Sequence, residues 1–536
     1  MMTLLRLIAS AAYVEQELSA EFGQMPPAFL PVGVSRLYEL QIARLGAGTP
    51  IYLTIPEGFS PQPYDQKRLH ELGVVLVPVP AGLLLGESIV YAINYIDITS
   101  GPMQLLYGDT LIEDMPVVTA DTIAIHDEGD DYSWAAVDLD GDAVSRLERV
   151  AAGSGHEDDR PVACGYFTFG SSSLLVKSVT RARGDFIDGL NLYSQERALS
   201  AVRVEQWRDF GHIQTYFRSR RAITTARSFN TLQIDARTVC KSSEDTDKMN
   251  AEASWLAALP ASVEPYTARL LEAGENNGVA FYRTEYEYAP TLAELFVFSS
   301  IGRSTWRNIL RSCEEFLNAC SACSGPGSGD IVLASLAVDK TVTRLEQYAR
   351  ETGFDIEKPT KLDGRPLPSL LKIAEEAAKA IDLRSGRSER LMHGDFCFSN
   401  ILYNSRAGRI KVIDPRGYVQ AGTRSMFGDT RYDLAKMSHS ISGCYDYILS
   451  GRYSLQRDGS HGYSIGFETN SYHGWLQHAF AELEVDGIRA DSQTVRAITV
   501  GLFLSMLPLH ADRPDRQEAF IANSLRLYVE LEGLTS

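Results

Sequence analysis

The chain has 536 residues, 44% of them hydrophobic and 22% charged. That is ordinary globular usage, and it excludes collagen-like, disordered and disulfide-scaffold chains. Lysine plus arginine number 51 against 69 aspartate plus glutamate, a formal charge of −18, so neither nucleic acid nor an anionic membrane surface is expected as the main partner. Seven cysteines are too few for a disulfide framework and predict a reducing, cytoplasmic setting. The opening MMTLLRLIASAA (1–12) has the outline of a signal peptide, but Arg6 interrupts its apolar run. No uninterrupted apolar run approaches the ~20 residues of a membrane span, so neither leader nor span is expected.

The first two hundred residues alternate short apolar runs, PIYLTI (50–55), GVVLVPV (73–79) and MQLLY (103–107), with helix-like stretches at 35–45 and 87–96. Runs bounded by Gly, Pro or Asp suit strands buried on both faces, and the rhythm predicts an open, mainly parallel α/β sheet. DLDG (138–141) and AGSGHEDDR (152–160) read as turn and loop. From about Arg227 the texture changes: FNTLQID (229–235) and TVCK (238–241) predict a hairpin, and a helix follows at 248–259, stopped by Pro260. From Ser304 onward helical patterns dominate, with a strand-like island at 409–413 and a flexible helix-to-helix loop, SGPGSG, at 324–329.

The sharpest motif is LMHGDFCFSN (391–400) followed by KVIDPRG (411–417), which sets Asp395, Asn400 and Asp414 in order. Phosphoryl transfer needs a carboxylate to orient the attacking hydroxyl, and oxygen ligands to hold Mg²⁺ against nucleotide phosphates. The set supplies both. An ATP-binding lobe also needs a strand lysine and a helical glutamate to hold it. Lys241 and Glu252 fit, with Lys248 and Glu244 as rivals.

The pattern H-G-D-x-x-x-x-N, then I-D-P, then GDTRYDLA (428–435), resembles the aminoglycoside phosphotransferase and choline kinase family, from about Arg227 to the C-terminus. The resemblance implies a bilobal kinase-like (α+β) domain at 226–536, with an N-lobe at about 226–300 and a helical C-lobe at about 301–536. It implies Mg²⁺ and ATP as cofactors and a small alcohol as substrate. Asp395 would be the catalytic base, Asn400 and Asp414 the Mg²⁺ ligands, and Lys241, Glu252 and Arg416 the nucleotide-binding set. Asp429 would support the catalytic loop by hydrogen bonding, with His393 packed beneath it. FYRTEYEYAP (281–290) resembles the hinge strand that carries adenine. No G-x-G-x-x-G precedes Lys241, and the tip between the first strands offers 228–230 or 235–237 instead. Tyr445, Asp446, Tyr447 and Trp475 are the ingredients of a choline cage, but aromatic residues at helical spacing suit a core as well, and the acceptor is not assigned from them.

In the first half, LYGDTL (106–111) puts Asp109 directly after an apolar strand, and EQWRDFGHIQTY (205–216) puts Asp209 two residues before Gly211. Two carboxylates meeting at the carboxyl end of a sheet can bind Mg²⁺ and align a phosphate with an α-phosphate. With PPAFLPVG (26–33), 36–40 and ACGYFTF (163–169), this half resembles the sugar-phosphate nucleotidyltransferases over about residues 1–225. The resemblance implies Asp109 in catalysis, Asp109 and Asp209 on a metal, and a second nucleoside triphosphate as cofactor. The chain departs from that family twice: the loop ASAAYVEQE (9–17) has no glycine, and Pro27 stands where the family has a lysine, for which Arg36, Lys67 and Arg68 are candidate replacements.

The expected architecture is therefore α/β, an open mainly parallel nucleotidyltransferase-like sheet at 1–225 followed by the kinase-like domain at 226–536. The expected enzyme phosphorylates a small alcohol, a sugar foremost, and couples the phosphate to a nucleotide for surface polysaccharide. Two alternatives stand beside it: a choline-type kinase with a cytidylyltransferase, and a small-molecule kinase with a catalytically silent first half. Cys320 and Cys323, in C-x-x-C spacing, read as a helix end, and Cys397 as a small packing residue.

Overall fold

The computed structural model describes residues 4–46, 48–98, 100–117, 119–127, 134–150, 160–223, 231–420 and 423–533. The loop read at 152–160, apart from Arg160, and the tip at 228–230 lie outside the described residues. Contacts divide the chain into two compact units, Met1–Ile223 and Thr224–Ser536. No described helix is long and apolar enough to cross a membrane.

In the first unit, nine described strands form one sheet. Its order is Val74–Val79, Ile51–Pro56, Leu5–Ala9, Met103–Tyr107, Val162–Phe169, Thr122–His126, Ser200–Arg203, Ala143–Val150 and Trp134–Asp140. The first four are parallel. Beyond Met103–Tyr107 the sheet turns mixed, because Val162–Phe169 enters antiparallel between Met103–Tyr107 and Thr122–His126. The expectation of a mainly parallel sheet therefore holds for its first four strands and for the pair of Thr122–His126 with Ser200–Arg203, the remaining pairings being antiparallel. Leu5 and Leu7 are fully buried at its centre beside Leu105, Ile123 and Phe167. Val74–Val79 is an edge strand, with Val75 at 45% exposure, and so is not covered on both faces. Asp138–Asp140 close a strand, and the hairpin turns at Gly141 instead.

The second unit opens with four antiparallel strands in the order Thr231–Ile234, Thr238–Ser243, Val279–Glu285, Leu270–Asn276. The helix Thr246–Ala257 packs on this sheet. The remainder is mainly helical, around the apolar helix Gln493–Ser505, whose Ile498, Val500, Phe503 and Leu504 are fully buried. Ser324–Ser328, expected as a flexible loop, is a strand paired with Ser388–Leu391: short polar residues in SGPGSG hide a partner 60 residues away. The helix Thr430–Ile441 is buried along its whole length. A helix buried all round is usually apolar, yet this one carries Arg431, Asp433 and Lys436, and each charge has a partner.

Candidate active sites

In the second unit, Lys241 and Tyr282 sit opposite each other on antiparallel strands and so share one face. Lys241 Nζ donates to Glu252 Oε2 at 2.6 Å and lies 3.1 Å from Asp414 Oδ1. The Tyr282 hydroxyl donates to Glu252 Oε2 at 3.0 Å. Burial alone would lower the Lys241 pKa, but Asp414 and Glu252 raise it above the usual value. The geometry thus pairs Lys241 with Glu252. Glu244 is exposed, and Lys248 lies in the first turn of the helix, where its amide donates to Asp245. Gly417, at φ +65°, lies so close to that helix that a Cβ there would stand 2.2 Å from the Ala251 carbonyl oxygen, so the turn after Asp414 requires glycine.

The loop that carries Asp395 is held by one face of Thr430–Ile441. Asp433 accepts from the amides of His393 and Gly394, both at 2.8 Å. Lys436 Nζ lies 2.8 Å from Asp395 Oδ1. Ser440 Oγ accepts from the Phe398 amide at 3.0 Å. Positions i, i+3 and i+7 line one side of a helix, and that spacing was the available signal for Lys436 and Ser440, which the sequence reading missed. The expected support, Asp429, does other work. It caps the helix by accepting from the Arg431 amide, and it binds the Arg431 guanidinium, while Asp433, one turn further, faces the loop. His393 is fully buried beneath the loop, its Nε2 3.0 Å from the Ile413 carbonyl oxygen, and burial pushes its pKa down to about 4, so it is neutral.

Asp395 is half-buried, with one carboxylate edge toward Lys436 and the other, Oδ2, accepting from Asn400 Nδ2 at 3.1 Å. Burial would raise its pKa, but Lys436, then Arg416, hold it well below the carboxylate range. Asn400 is tied through its carbonyl to the Ile413 amide at 3.0 Å, which sets it beside Asp414. Asp414 has a left-handed backbone, φ +57°, and its side chain is 45% exposed. A non-glycine residue in that region stores strain, which recurs at ligand-binding positions. The half-exposed Asp414 carboxylate and the adjacent Asn400 amide fit a Mg²⁺ ion delivered with nucleotide phosphates. Among the described residues no cluster of three or more His, Cys, Asp or Glu is spaced to hold an ion unaided.

Arg416 does not join the Lys241–Glu252 pair. Its guanidinium lies over the Tyr418 ring, 4.8 Å from the centroid, and bonds Tyr432. Of the aromatic residues near Asp446, Tyr445 and Tyr447 are core: Tyr445 stacks on Phe520 and packs tilted against His439, and Tyr447 meets Phe296 edge-to-face, while the half-buried Trp475 lies under Arg303 and Arg307. Cys320 lies within the last turn of Arg303–Ser321 with Cys323 just beyond, and burial pushes the Cys397 thiol up to about 12.

In the first unit the short strand Trp207–Asp209 pairs antiparallel with Thr110–Ile112, which puts Asp209 opposite Thr110 and beside Asp109. Both carboxylates face Gly211: a Cβ there would stand 3.0 Å from Asp109 Oδ2 and 3.4 Å from Asp209 Oδ1. Asp209 Oδ2 is buried with no hydrogen-bond partner. Such an orphan oxygen beside a second carboxylate fits a divalent cation, which binds through one or two carboxylates and completes its shell with phosphates. Burial, and then the Asp109 charge, push Asp209 up to about 7. Glu15, from the loop after the first strand, reaches His212 Nδ1 at 2.9 Å at the edge of this site; neither residue stood out in the sequence.

Of the candidate replacements for the missing lysine, Arg36 is buried and bound to Asp65 at 3.0 Å and to the Phe29 carbonyl at 2.6 Å, Arg68 bonds Glu39 and Glu71, and Lys67 is exposed.

A raised carboxylate costs stability as pH climbs from its unfolded value, about 4, toward its folded value. Asp209→Asn is therefore expected to raise the melting temperature by several degrees at pH 8 and by little at pH 5. Scanning calorimetry at both pH values checks this, and an equal shift at both would refute the charge assignment.

No protein-family model matches the chain, and no curated protein matches it. Both families that its motifs resemble occur among the solved structures similar to it. A thermostable mutant of aminoglycoside phosphotransferase APH(4)-Ia, in ternary complex with AMP-PNP and hygromycin B, is 15% identical over 57% of this chain and 91% of that one, at a TM-score of 0.36. A glucose-1-phosphate thymidylyltransferase from Bacillus anthracis is 13% identical over 42% of this chain and 98% of that one, at 0.34. A UDP-glucose pyrophosphorylase from Acinetobacter baumannii is 13% identical over 41% of this chain and 93% of that one, at 0.33.

Proposed function

We propose that the chain is a bifunctional enzyme. Its second unit transfers the γ-phosphoryl group of ATP to a small alcohol, a sugar foremost. Its first unit joins the new phosphate to a second nucleoside triphosphate, and the product is an activated precursor for surface polysaccharide. The observation that carries this reading is the convergence of Asp395, Asn400, Asp414, Lys241 and Glu252 from four separate segments of the second unit. Lys241, held by Glu252, draws the nucleotide phosphates, and Asp395 orients the acceptor hydroxyl and takes its proton. Asn400 and Asp414 would hold Mg²⁺, which when bound neutralises phosphate charge.

In the first unit Asp109 and Asp209 are proposed to hold Mg²⁺ and to align the phosphate oxygen with the α-phosphorus, so that pyrophosphate leaves. The seven cysteines are free thiols, in keeping with a cytoplasmic enzyme. The choline alternative is disfavoured because cations, not an acidic aromatic cage, surround Asp395.

Phosphorus-31 NMR of the full chain with Mg²⁺, ATP, the other nucleoside triphosphates and a pool of sugars and choline tests the reading. ADP, pyrophosphate and a new diphosphate ester are expected, and Asp109→Ala should abolish the pyrophosphate. ADP and a phosphomonoester without pyrophosphate would leave the first unit as a binding module. No ADP with any acceptor would overturn the kinase assignment.

A further inference from the structure

The carboxylate edge of Asp395 that faces away from Asn400 looks onto a group of cations. Lys436 contacts it directly. One turn earlier on the same helix, the buried Tyr432 hydroxyl accepts from Lys340 Nζ at 3.5 Å and is bonded by Arg416 as well. Arg344, one turn beyond Lys340 on the helix Lys340–Thr352, is near enough for its charge to act on Lys340, as do those of Arg416 and Lys436. Lys340 directly follows a π-helical stretch, Ala334–Asp339. Such stretches are rare and frequent at functional sites. The strand Tyr418–Gln420, next to Arg416, packs against this one.

Four cations thus gather at Asp395, and only Lys436 pairs with it; the nearby Asp433 is engaged by the His393 and Gly394 amides. Among the described residues Lys340, Arg344 and Arg416 make no ion pair, and Arg416 Nε is buried without a partner. Half-buried cations left unpaired destabilise a fold, and a protein of charge −18 has carboxylates to spare. Burial and the three neighbouring cations push the Lys340 pKa well below its usual value, which is the mark of a site short of negative charge.

We propose that this group is the acceptor subsite, and that the alcohol phosphorylated at Asp395 carries an anionic group of its own, a carboxylate or a phosphoryl, seated on Lys340, Arg344 and Arg416. The proposal rests on Asp395 as the base of a kinase. The nucleotide is assigned to the opposite edge of Asp395, where Asn400, Asp414 and Lys241 lie. A neutral sugar leaves the cations unpaired, and a quaternary ammonium would be repelled by them.

Calorimetric titration of inorganic phosphate into the full chain, saturated with Mg²⁺ and AMP-PNP and held at constant ionic strength with chloride, tests the subsite apart from catalysis. One phosphate is expected to bind. Arg344→Gln and Lys340→Met, first shown to be folded by melting temperature, should weaken it by roughly 10–100-fold, the loss of one charge-assisted hydrogen bond, while AMP-PNP affinity holds. No phosphate binding to the nucleotide-saturated protein, or equal binding in the variants, overturns the proposal. A parallel loss of AMP-PNP affinity also overturns it, by giving the cluster to the nucleotide.

ADP formation with glucose, glucuronate and glucose 6-phosphate, and with glycerol, glycerate and glycerol 3-phosphate, separates the two anions. A faster carboxylate or phosphate member supports the subsite and names its ligand, and a neutral member or choline as best substrate refutes it. If no acceptor is turned over while phosphate binding is lost in the variants, the anion subsite stands and the kinase reading fails.

Discussion

Asp395→Ala is expected to leave a folded chain that forms ADP about 10²–10⁴ times more slowly, the range that a positioned proton acceptor contributes. With Lys436 at 2.8 Å holding its pKa well below the usual range, Asp395 is a weak base. Its work is to orient the hydroxyl and accept the proton late, as a loose phosphoryl-transfer transition state allows. It is ionised across the whole working pH range, so an acidic limb in the pH–rate profile must come from another group. Asp395→Asn keeps the shape and the Asn400 contact but not the charge, and should be nearly as slow. A coupled ADP assay with matched melting curves checks both variants, and turnover retained in either folded variant removes Asp395 from the mechanism.

Arg431→Ala is expected to destabilise the second unit by about 3–5 kcal/mol, the cost of stripping one partner from a buried ion network. The Arg431 guanidinium binds both Asp429 oxygens, at 2.8 and 2.6 Å, Asp330 Oδ1 at 2.6 Å and the Asp382 carbonyl at 2.5 Å. Asp330 in turn accepts from the Gly386 amide and the Ser385 hydroxyl. One side chain thus ties the helix Thr430–Ile441 to two other segments, and its removal leaves two buried carboxylates without a counter-charge. Lysine cannot reproduce the fork, so Arg431→Lys should recover only a small part. Asp330→Asn added to Arg431→Ala should recover some stability by removing one orphaned charge. Urea unfolding followed by the near-ultraviolet signal reads all three, and a loss under about 1 kcal/mol for Arg431→Ala would show that water replaces the network.

The parts legible in the sequence share one property: their partners lie close along the chain. The hairpin strands Thr231–Ile234 and Thr238–Ser243 are joined by a short turn, and Lys241 meets Glu252 one helix later. Asp395 and Asn400 lie in one loop, and Asp109 stands two residues beyond the end of its strand. The sequence misled where the partner was remote. SGPGSG reads as a flexible loop because its strand partner begins at Ser388. A mainly parallel sheet was expected because the strand order that inserts Val162–Phe169 antiparallel leaves no local trace. Asp429 and Asp433 are both acids in one motif, and only helix direction decides which faces the loop.

By itself, then, the sequence determined the chain's composition and charge, and the ordered acids and amide around Asp395, because these depend on residue chemistry and short spacing. The tertiary structure alone decided that Lys340, Arg344, Arg416 and Lys436 gather around that carboxylate, and that of these four only Lys436 forms an ion pair among the described residues. Charge acts through space, and residues scattered along a chain meet only when helices and strands have packed.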